Sequence, residues 1–229
     1  MNRQYSVLTA VAVVAFGLSG CVNVLPKAEP IQLYRFAYAP ETLEQGKNAV
    51  TLAPRAADGT MAAVNIGDIR FPQEAESDRV LTTEGNAISY VAGSRWAAPA
   101  RQLFVQAVSE GFARSGTTVR LDPRGPAQAA YRLDLNVHHF ESAYKHGRPT
   151  VSIALDAQVV RLSDRAVVGQ RFITADVGVR RNDMSMMADA YNEATTQAVM
   201  AMVAFTQETV AANPVPDQTV TLPAATVKP

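Results

Sequence analysis

Three long runs in the second half of the chain alternate apolar and polar residues. The first run places Tyr131, Leu133, Leu135 and Val137 opposite Arg132, Asp134, Asn136 and His138. A period of two buries one side of an extended strand and leaves the other side polar. Similar runs begin at Val151 and Val167, and short polar turns separate the three. The pattern predicts an antiparallel meander with one buried face.

Two other stretches carry apolar residues at three- and four-residue steps, which is the spacing of one helix face. The spacing predicts one helix over about residues 95–115, with Ser94 or Ala98 as its cap and Gly116 ending it. It predicts a second helix over residues 184–210. The methionines of this second helix are interpreted as core residues.

The pattern of the first half of the chain predicts mainly strands. Residues 31–38 predict a first strand and residues 61–71 a second, with a loop over 40–59 between them. Two alternating segments around Glu84-Gly85-Asn86 predict a hairpin, and residues 118–121 predict a short strand. The fold class is therefore α/β or α+β: one mixed, largely antiparallel sheet with two main helices. The pattern does not decide whether the helices share a sheet face.

The N-terminus has a different pattern. A short start containing Arg3 precedes an apolar run over 7–18, which is typical of a secretory signal peptide and short for a membrane span. The run ends in Leu18-Ser19-Gly20-Cys21, which resembles the lipobox of bacterial lipoproteins. That resemblance implies diacylglycerol on the Cys21 sulfur, cleavage before Cys21 and N-acylation. An uncleaved anchor, or an ordinary signal with a chance cysteine, is the alternative.

These patterns divide the chain into four parts. Residues 1–20 are the cleaved lipoprotein signal peptide, and 21–30 are a lipidated tether containing Pro26 and Pro30. Residues 31–210 form the single folded domain. Residues 211–229, rich in proline and threonine, are a disordered tail.

Composition limits the classes of partner that the protein is expected to bind. The 21 Lys and Arg balance the 21 Asp and Glu, and no long basic stripe predicts nucleic-acid binding. Cys21 is the one cysteine, so no internal disulfide forms. Three acyl chains on Cys21 would suffice for stable membrane anchoring.

Candidate catalytic or metal-binding residues are few. His138 and His139 are strand neighbours expected to point to opposite faces, and His146 lies in a turn, so no metal site is predicted. Asp134, Glu141 and Asp156 lie on or beside strands. Charge pairs between neighbouring strands explain their presence as well as a role in acid–base catalysis would. We expect neither an enzyme nor a cofactor.

Trp96 is the residue of the domain with two competing interpretations. It either seats the first helix on the sheet as a core residue, which is the commoner use of so large a ring, or it contacts a partner protein from the surface.

Several segments together resemble the ABC-type transport auxiliary lipoproteins, the PqiC-like proteins. The resemblance covers about residues 31–210. The chain departs from the family pattern at Ala98, where the family often has Glu, and in the long loop over 40–59. The resemblance lies in the order and spacing of these segments: Leu33-Tyr34-Arg35-Phe36, Ile69-Arg70-Phe71-Pro72, Asp78-Arg79, Ile88-Ser89-Tyr90, Arg95-Trp96-Ala97-Ala98-Pro99, Tyr131-Arg132-Leu133 and Phe140-Glu141.

The resemblance implies a periplasm-facing accessory lipoprotein of an intermembrane lipid transport system. It implies three partners: an ABC permease, its ATPase and a substrate-binding protein with MCE domains. It also implies a fold like the N-terminal domain of TolB. Val22 follows Cys21, whereas Asp there is the usual inner-membrane retention signal, so the implied location is the outer membrane rather than the inner one.

Three functions compete on this basis. The first is a non-enzymatic docking lipoprotein. The second is a carrier of lipid or glycan, which requires a sizeable apolar pocket between sheet and helices. The third is an envelope hydrolase, which requires His138, Asp134 and Asp156 to cluster rather than point outward.

Overall fold

One mixed sheet of eight strands, two α-helices and a short 3-10 helix at Pro40–Thr42 account for the regular structure in the part of the chain that is described. The computed structural model describes residues 30–43, 62–115, 119–121, 129–145 and 147–215. The helices are α1 (Ala100–Arg114) and α2 (Met184–Ala212). The strands are β1 (Gln32–Tyr34), β2 (Ala62–Arg70), β3 (Arg79–Glu84), β4 (Ala87–Trp96), β5 (Val119–Leu121), β6 (Tyr131–Lys145), β7 (Arg148–Arg161) and β8 (Val167–Gly178).

Strand β6 is the centre of the sheet. One of its edges pairs with β7 along its whole length, and β7 then pairs with β8, both antiparallel. The other edge is shared: β2 runs parallel to the first half of β6, and β3 runs parallel to its second half. On its other side β2 pairs with β5. On its other side β3 pairs with β4, which in turn pairs with β1. The predicted mixed sheet, hairpin and meander are confirmed.

Both helices cover the same face of this sheet. Buried residues of β6, β7 and β8 belong to one apolar cluster with the buried faces of α1 and α2. The two helices also touch, since a Cβ added at Gly111 of α1 would lie 2.1 Å from Cγ1 of Val199 in α2. The fold therefore has two layers, with helices on one side and an open sheet face on the other.

Helix α1 begins at Ala100, later than the pattern predicts. Ser94, Arg95 and Trp96 are the last residues of β4, held between β3 on one edge and β1 on the other. The predicted caps Ser94 and Ala98 are wrong, because Pro99 occupies the N-cap position. Proline suits a helix start, where its missing N–H costs no hydrogen bond.

Helix α2 ends at Ala212 rather than at residue 210. Its N-cap is Asp183, whose carboxylate accepts a hydrogen bond from the Met186 amide at 2.9 Å. Two residues of the predicted tail, Ala211 and Ala212, are thus helical. The remainder of that tail from residue 216, the predicted signal peptide and nearly all of the tether lie outside the described residues.

The first predicted strand is shorter than its alternating pattern. Only Gln32–Tyr34 pair with β4, and the following residues lie along α2 instead. The Ala37 amide donates to Asn192 Oδ1 at 2.9 Å, and the Ala39 amide donates to Thr196 Oγ1 at 2.9 Å. Helix side chains therefore replace a neighbouring strand, while Phe36 and Tyr38 remain buried.

A β-bulge interrupts β6 between Val137 and His139. Val137 is opposite Leu155 and His139 is opposite Ala154, so His138 is the extra residue. The buried positions are odd-numbered before the bulge and even-numbered after it, beginning with Phe140. The prediction that His138 and His139 point to opposite faces is therefore wrong, since both side chains are exposed.

Candidate binding groove on the open sheet face

Trp96 lies inside the core. It is 2 % exposed, and its ring meets Phe36 edge-on at 5.0 Å and Tyr191 edge-on at 4.9 Å between centroids. Phe140 joins the same cluster through contacts with Phe36 and Tyr191. Burial raises the pKa of the Tyr191 hydroxyl well above its usual range, with a smaller contribution from Glu141. The packing interpretation of Trp96 fits this geometry, whereas a partner contact would require ring surface that Trp96 lacks.

Two other residues considered from the sequence, Cys21 and His146, lie outside the described residues. Lipidation of Cys21 therefore stays a prediction from the lipobox pattern.

The open sheet face carries a shallow groove of about 400 Å³ between β2, β6 and β7. Strand alternation builds it, because the polar partners of the buried β6 and β7 residues all project to this side. Its walls are mostly polar. They are formed by Gly67, Asp68, Arg70, Arg132, Asp134, Leu135, Asn136, Asp156 and Gln158.

Gly67 allows β2 to approach β6 closely at the floor of the groove. β2 is irregular between Ile66 and Ile69, so its backbone there approaches side chains of β6. A Cβ at Gly67 would lie 2.0 Å from Asp134 Oδ1 and 2.6 Å from Arg132 Cδ. The same Asp134 oxygen accepts a hydrogen bond from the Asp68 amide at 3.1 Å.

The charges lining the groove are paired with one another. The Asp134 carboxylate binds Arg132 at 2.8 Å, and Asp68 binds Arg70 at 3.0 Å. Both pairs are at least partly exposed, so each contributes little to stability. Their effect is to fix the positions of donors and acceptors that a partner molecule would meet.

A histidine–carboxylate pair extends this polar surface towards β8. His138 Nε2 lies 2.7 Å from Asp156 Oδ2, and the exposed ring of Phe172 lies 6.1 Å from the His138 ring centroid. His139 approaches Glu141 at 3.4 Å on the same face. The bulge in β6 makes this possible by turning both histidines outward.

The hydrolase hypothesis depends on His138, Asp134 and Asp156 forming one cluster. Asp134 is engaged by Arg132 and the Asp68 amide, whereas His138 pairs with Asp156. All three project outward from the open face, which is the arrangement that contradicts the hydrolase hypothesis. Within the described ranges, no three His, Cys, Asp or Glu side chains are grouped to hold a metal ion.

The carrier hypothesis requires an apolar pocket between sheet and helices. That layer is instead occupied by side chains without solvent exposure, including Leu133, Ile153, Phe104 and Met202. The groove of about 400 Å³ lies on the opposite face and is polar. The described interior thus resembles a filled core rather than a lipid cavity.

No helix in the described ranges has the length and hydropathy needed to cross a membrane.

Sequence reasoning missed Gly67, Asp68 and Phe172 as parts of this surface. The available signal was the polar half of each alternating run, which predicts one shared face when neighbouring strands are aligned. The register that brings Asp156 opposite Asn136 depends on the bulge in β6, which the alternation alone does not reveal. Pairing of β7 with β8 then places Phe172 opposite Asp156.

Comparison with known proteins now identifies the family. The model of the ABC-type transport auxiliary lipoprotein component matches residues 42–203, well over half of the chain. The chain belongs to this family. It is therefore an auxiliary lipoprotein of ABC-type transport, which is a non-enzymatic, envelope-associated and membrane-anchored class of protein.

Solved structures support the fold. A Xanthomonas campestris protein is 24% identical with a TM-score of 0.61, and the match covers 72% of this chain and 95% of that one. A hypothetical protein from Chlamydia trachomatis is 10% identical with a TM-score of 0.50, covering 67% of this chain and 100% of its own. No functionally curated protein matches the sequence.

Proposed function

We propose that this auxiliary lipoprotein is a docking subunit of an intermembrane lipid transport system. Its partners are an ABC permease, the ATPase and an MCE-domain protein that binds the lipid. Diacylglycerol and an N-acyl chain on Cys21 hold it at the membrane, and the folded domain presents a surface to those partners.

The observation that carries this proposal is the contrast between the two sides of the sheet. The helix side is filled by a packed core, whereas the open side is a polar surface with fixed charge pairs and an exposed aromatic ring, Phe172, at 60%. Such a surface has donors, acceptors and one apolar anchor, which suit protein recognition.

The outer membrane is the location that the sequence favours, because Val22 rather than Asp follows Cys21. We expect Val22→Asp to move the protein to the inner membrane without releasing it. Membrane fractionation on a density gradient measures this. If both proteins fractionate with the inner membrane, the outer-membrane location is wrong.

The docking role is tested by crosslinking intact envelopes and purifying the tagged protein. We expect the wild-type protein to recover transporter subunits, and Phe172→Ser to recover several-fold less. Val167→Ser is the matched control, since Val167 is 56% exposed on the same strand. Recovery of no transporter subunit by the wild-type protein would contradict the proposed function, and equal recovery by Phe172→Ser and Val167→Ser would contradict a specific role for Phe172.

A further inference from the structure

Several chain reversals gather at one end of the sheet. β3 and β6 run parallel, with Thr83 opposite Ala143, so the turns that follow them lie at the same end. β8 runs antiparallel to β7 and finishes with Gly178 opposite Thr150, so it also ends there. We call this the hairpin end. It comprises the turn at Gly85 and Asn86, the turn at Gly147, and the segment 179–183.

The first strand of the folded domain points away from the hairpin end. β1 runs parallel to β4 with Gln32 opposite Ser94, seven residues past the start of β4 at Ala87. Gln32 therefore lies roughly 23 Å along β4 from the hairpin end, which is within the reach of the chain that precedes it. Cys21 precedes Gln32 by eleven residues in the sequence. An extended chain of that length limits the separation of the two residues to about 35–40 Å.

The hairpin end exposes an apolar side chain and two arginines. Ile88 is 55% exposed directly after the turn. Arg148 opens β7, Arg180 follows β8, and both are exposed. The Val179 amide donates to the Pro149 carbonyl at 2.9 Å, which continues the strand register past its last pair. Extended by one more residue, that register would set Arg148 opposite Arg180.

Two guanidinium groups opposite each other repel unless an anion lies between or above them. Arg181 is satisfied by Asp183 at 2.8 Å, but in the described ranges neither Arg148 nor Arg180 forms an ion pair. Glu84 is the exposed acidic residue beside the first turn, on the strand pair away from the two arginines. The arginine pair therefore suits phosphate groups, and Ile88 suits the apolar layer beneath them.

We propose that the hairpin end faces the membrane that holds Cys21. Ile88 enters the interface, and Arg148 and Arg180 bind the phosphates of anionic phospholipids. This orientation rests on the proposed lipid anchor. It leaves the open sheet face at the side of the domain, free for the transport partners.

The experiment uses the full lipidated chain in vesicles of phosphatidylethanolamine and phosphatidylglycerol that contain a headgroup-quencher lipid. Lipidation would consume the one native thiol, so an introduced cysteine carries a fluorophore at one site. Ile88→Cys places the fluorophore at the hairpin end. Val167→Cys is the control, because Val167 is 56% exposed and Ile88 is 55% exposed. We expect several-fold stronger quenching at position 88. Equal quenching, or stronger quenching at position 167, overturns the proposed orientation.

The arginines are tested in the Ile88→Cys background. We expect Arg148→Glu combined with Arg180→Glu to reduce quenching at least twofold in phosphatidylglycerol vesicles and to leave it unchanged in phosphatidylcholine vesicles. Arg165→Glu, at an exposed arginine in the turn after β7, is the control and should have no effect. Unchanged quenching in the double variant overturns the phosphate contact.

The two proposals fail in different ways. A labelled chain that does not float with vesicles lacks the anchor, which contradicts the proposed membrane attachment together with this orientation. A chain that floats but shows equal quenching at positions 88 and 167 contradicts the orientation alone.

Discussion

Gly111 shows how one residue sets the distance between the two helices. It faces Val199, a fully buried residue whose β-branched side chain has little freedom to rotate within a helix. Any side chain at position 111 would overlap it, since a Cβ would lie 2.1 Å from Cγ1. Glycine is thus required here by contact rather than by its own backbone conformation.

Gly111→Ala should destabilise the protein although alanine favours helices. The propensity gain is about 1 kcal/mol, and overpacking costs about 1–3 kcal/mol, with the 2.1 Å contact favouring the upper part of that range. We expect a net loss of about 1–2 kcal/mol in urea unfolding.

Two controls accompany this measurement. Gly178→Ala meets no atom within 4 Å and should change the free energy of unfolding by less than about 0.5 kcal/mol. Val199→Ala combined with Gly111→Ala should cost less than the sum of the single changes. A stabilising Gly111→Ala would show that the helices move apart freely.

Asp164 makes the turn after β7 sensitive to acid. Hydrogen bonds from Arg161, and then from the Ala166 amide, lower the pKa of its carboxyl to about 2. The folded pKa lies below the unfolded value of about 3.9. The stabilisation is therefore present above about pH 4 and is lost as pH falls from about 4 to about 2.

Asp164→Asn should lower the melting temperature at pH 6, and the difference from wild type should fall to about half near pH 3. Thermal unfolding followed between pH 6 and pH 2 measures it. Arg161→Gln removes the main cause of the shift and should reproduce the same pH profile. A difference that stays constant over this range would refute the assignment.

At the scale of elements, α2 does more than cover the sheet. Asn192 and Thr196 lie one turn apart and bind the amides of Ala37 and Ala39, so the helix fixes the chain just after β1. This explains why the apolar alternation of residues 31–38 is real although only three residues form a strand. Phe36 and Tyr38 face the core, as the alternation predicts, although neither residue belongs to β1.

Asn192→Ala should loosen this segment selectively. Loss of one hydrogen bond corresponds to about 1 kcal/mol, or about fivefold faster amide exchange at Ala37. Gln197→Ala is the control, because Gln197 bonds Glu193 on its own helix. Equal exchange rates in the two variants would mean that the Asn192 contact does not hold the segment.

The elements that follow one regular period were predictable from the sequence, and the exceptions have physical causes. β6, β7 and β8 alternate over many residues, so the meander and its buried face could be derived. The start of α1 could not, because pairing of β4 with two strands overrides the helical pattern of residues 94–96. The groove could not be predicted because two irregular positions, in β2 and β6, set its register.

At the scale of the whole molecule, function depends on where a non-catalytic domain is held. The core is filled, the charges of the open face are paired, and the family is one of transport auxiliary lipoproteins. Attachment through Cys21 would confine the domain to a thin layer next to the membrane. Recognition then operates at a high local concentration of its partners.

Cys21→Ala should abolish that attachment. Without the sulfur, no diacylglycerol is added and the signal peptide is not removed, so we expect a larger protein without acyl chains. Mass spectrometry and envelope fractionation measure both effects. Ser19→Ala keeps a small residue and should be processed normally. Normal mass and fractionation of Cys21→Ala would identify an uncleaved anchor or an ordinary signal instead.

The extra residue in β6 has a consequence for changes in chain length. Removing His138 would give a strand of uninterrupted alternation in which Val137, Phe140 and Ser142 keep their inward positions. Removing a residue elsewhere in β6, apart from the neighbouring exposed His139, would turn a whole half of the strand inside out. Positions 138 and 139 are thus the place in this strand where a family member can gain or lose one residue without rebuilding its core.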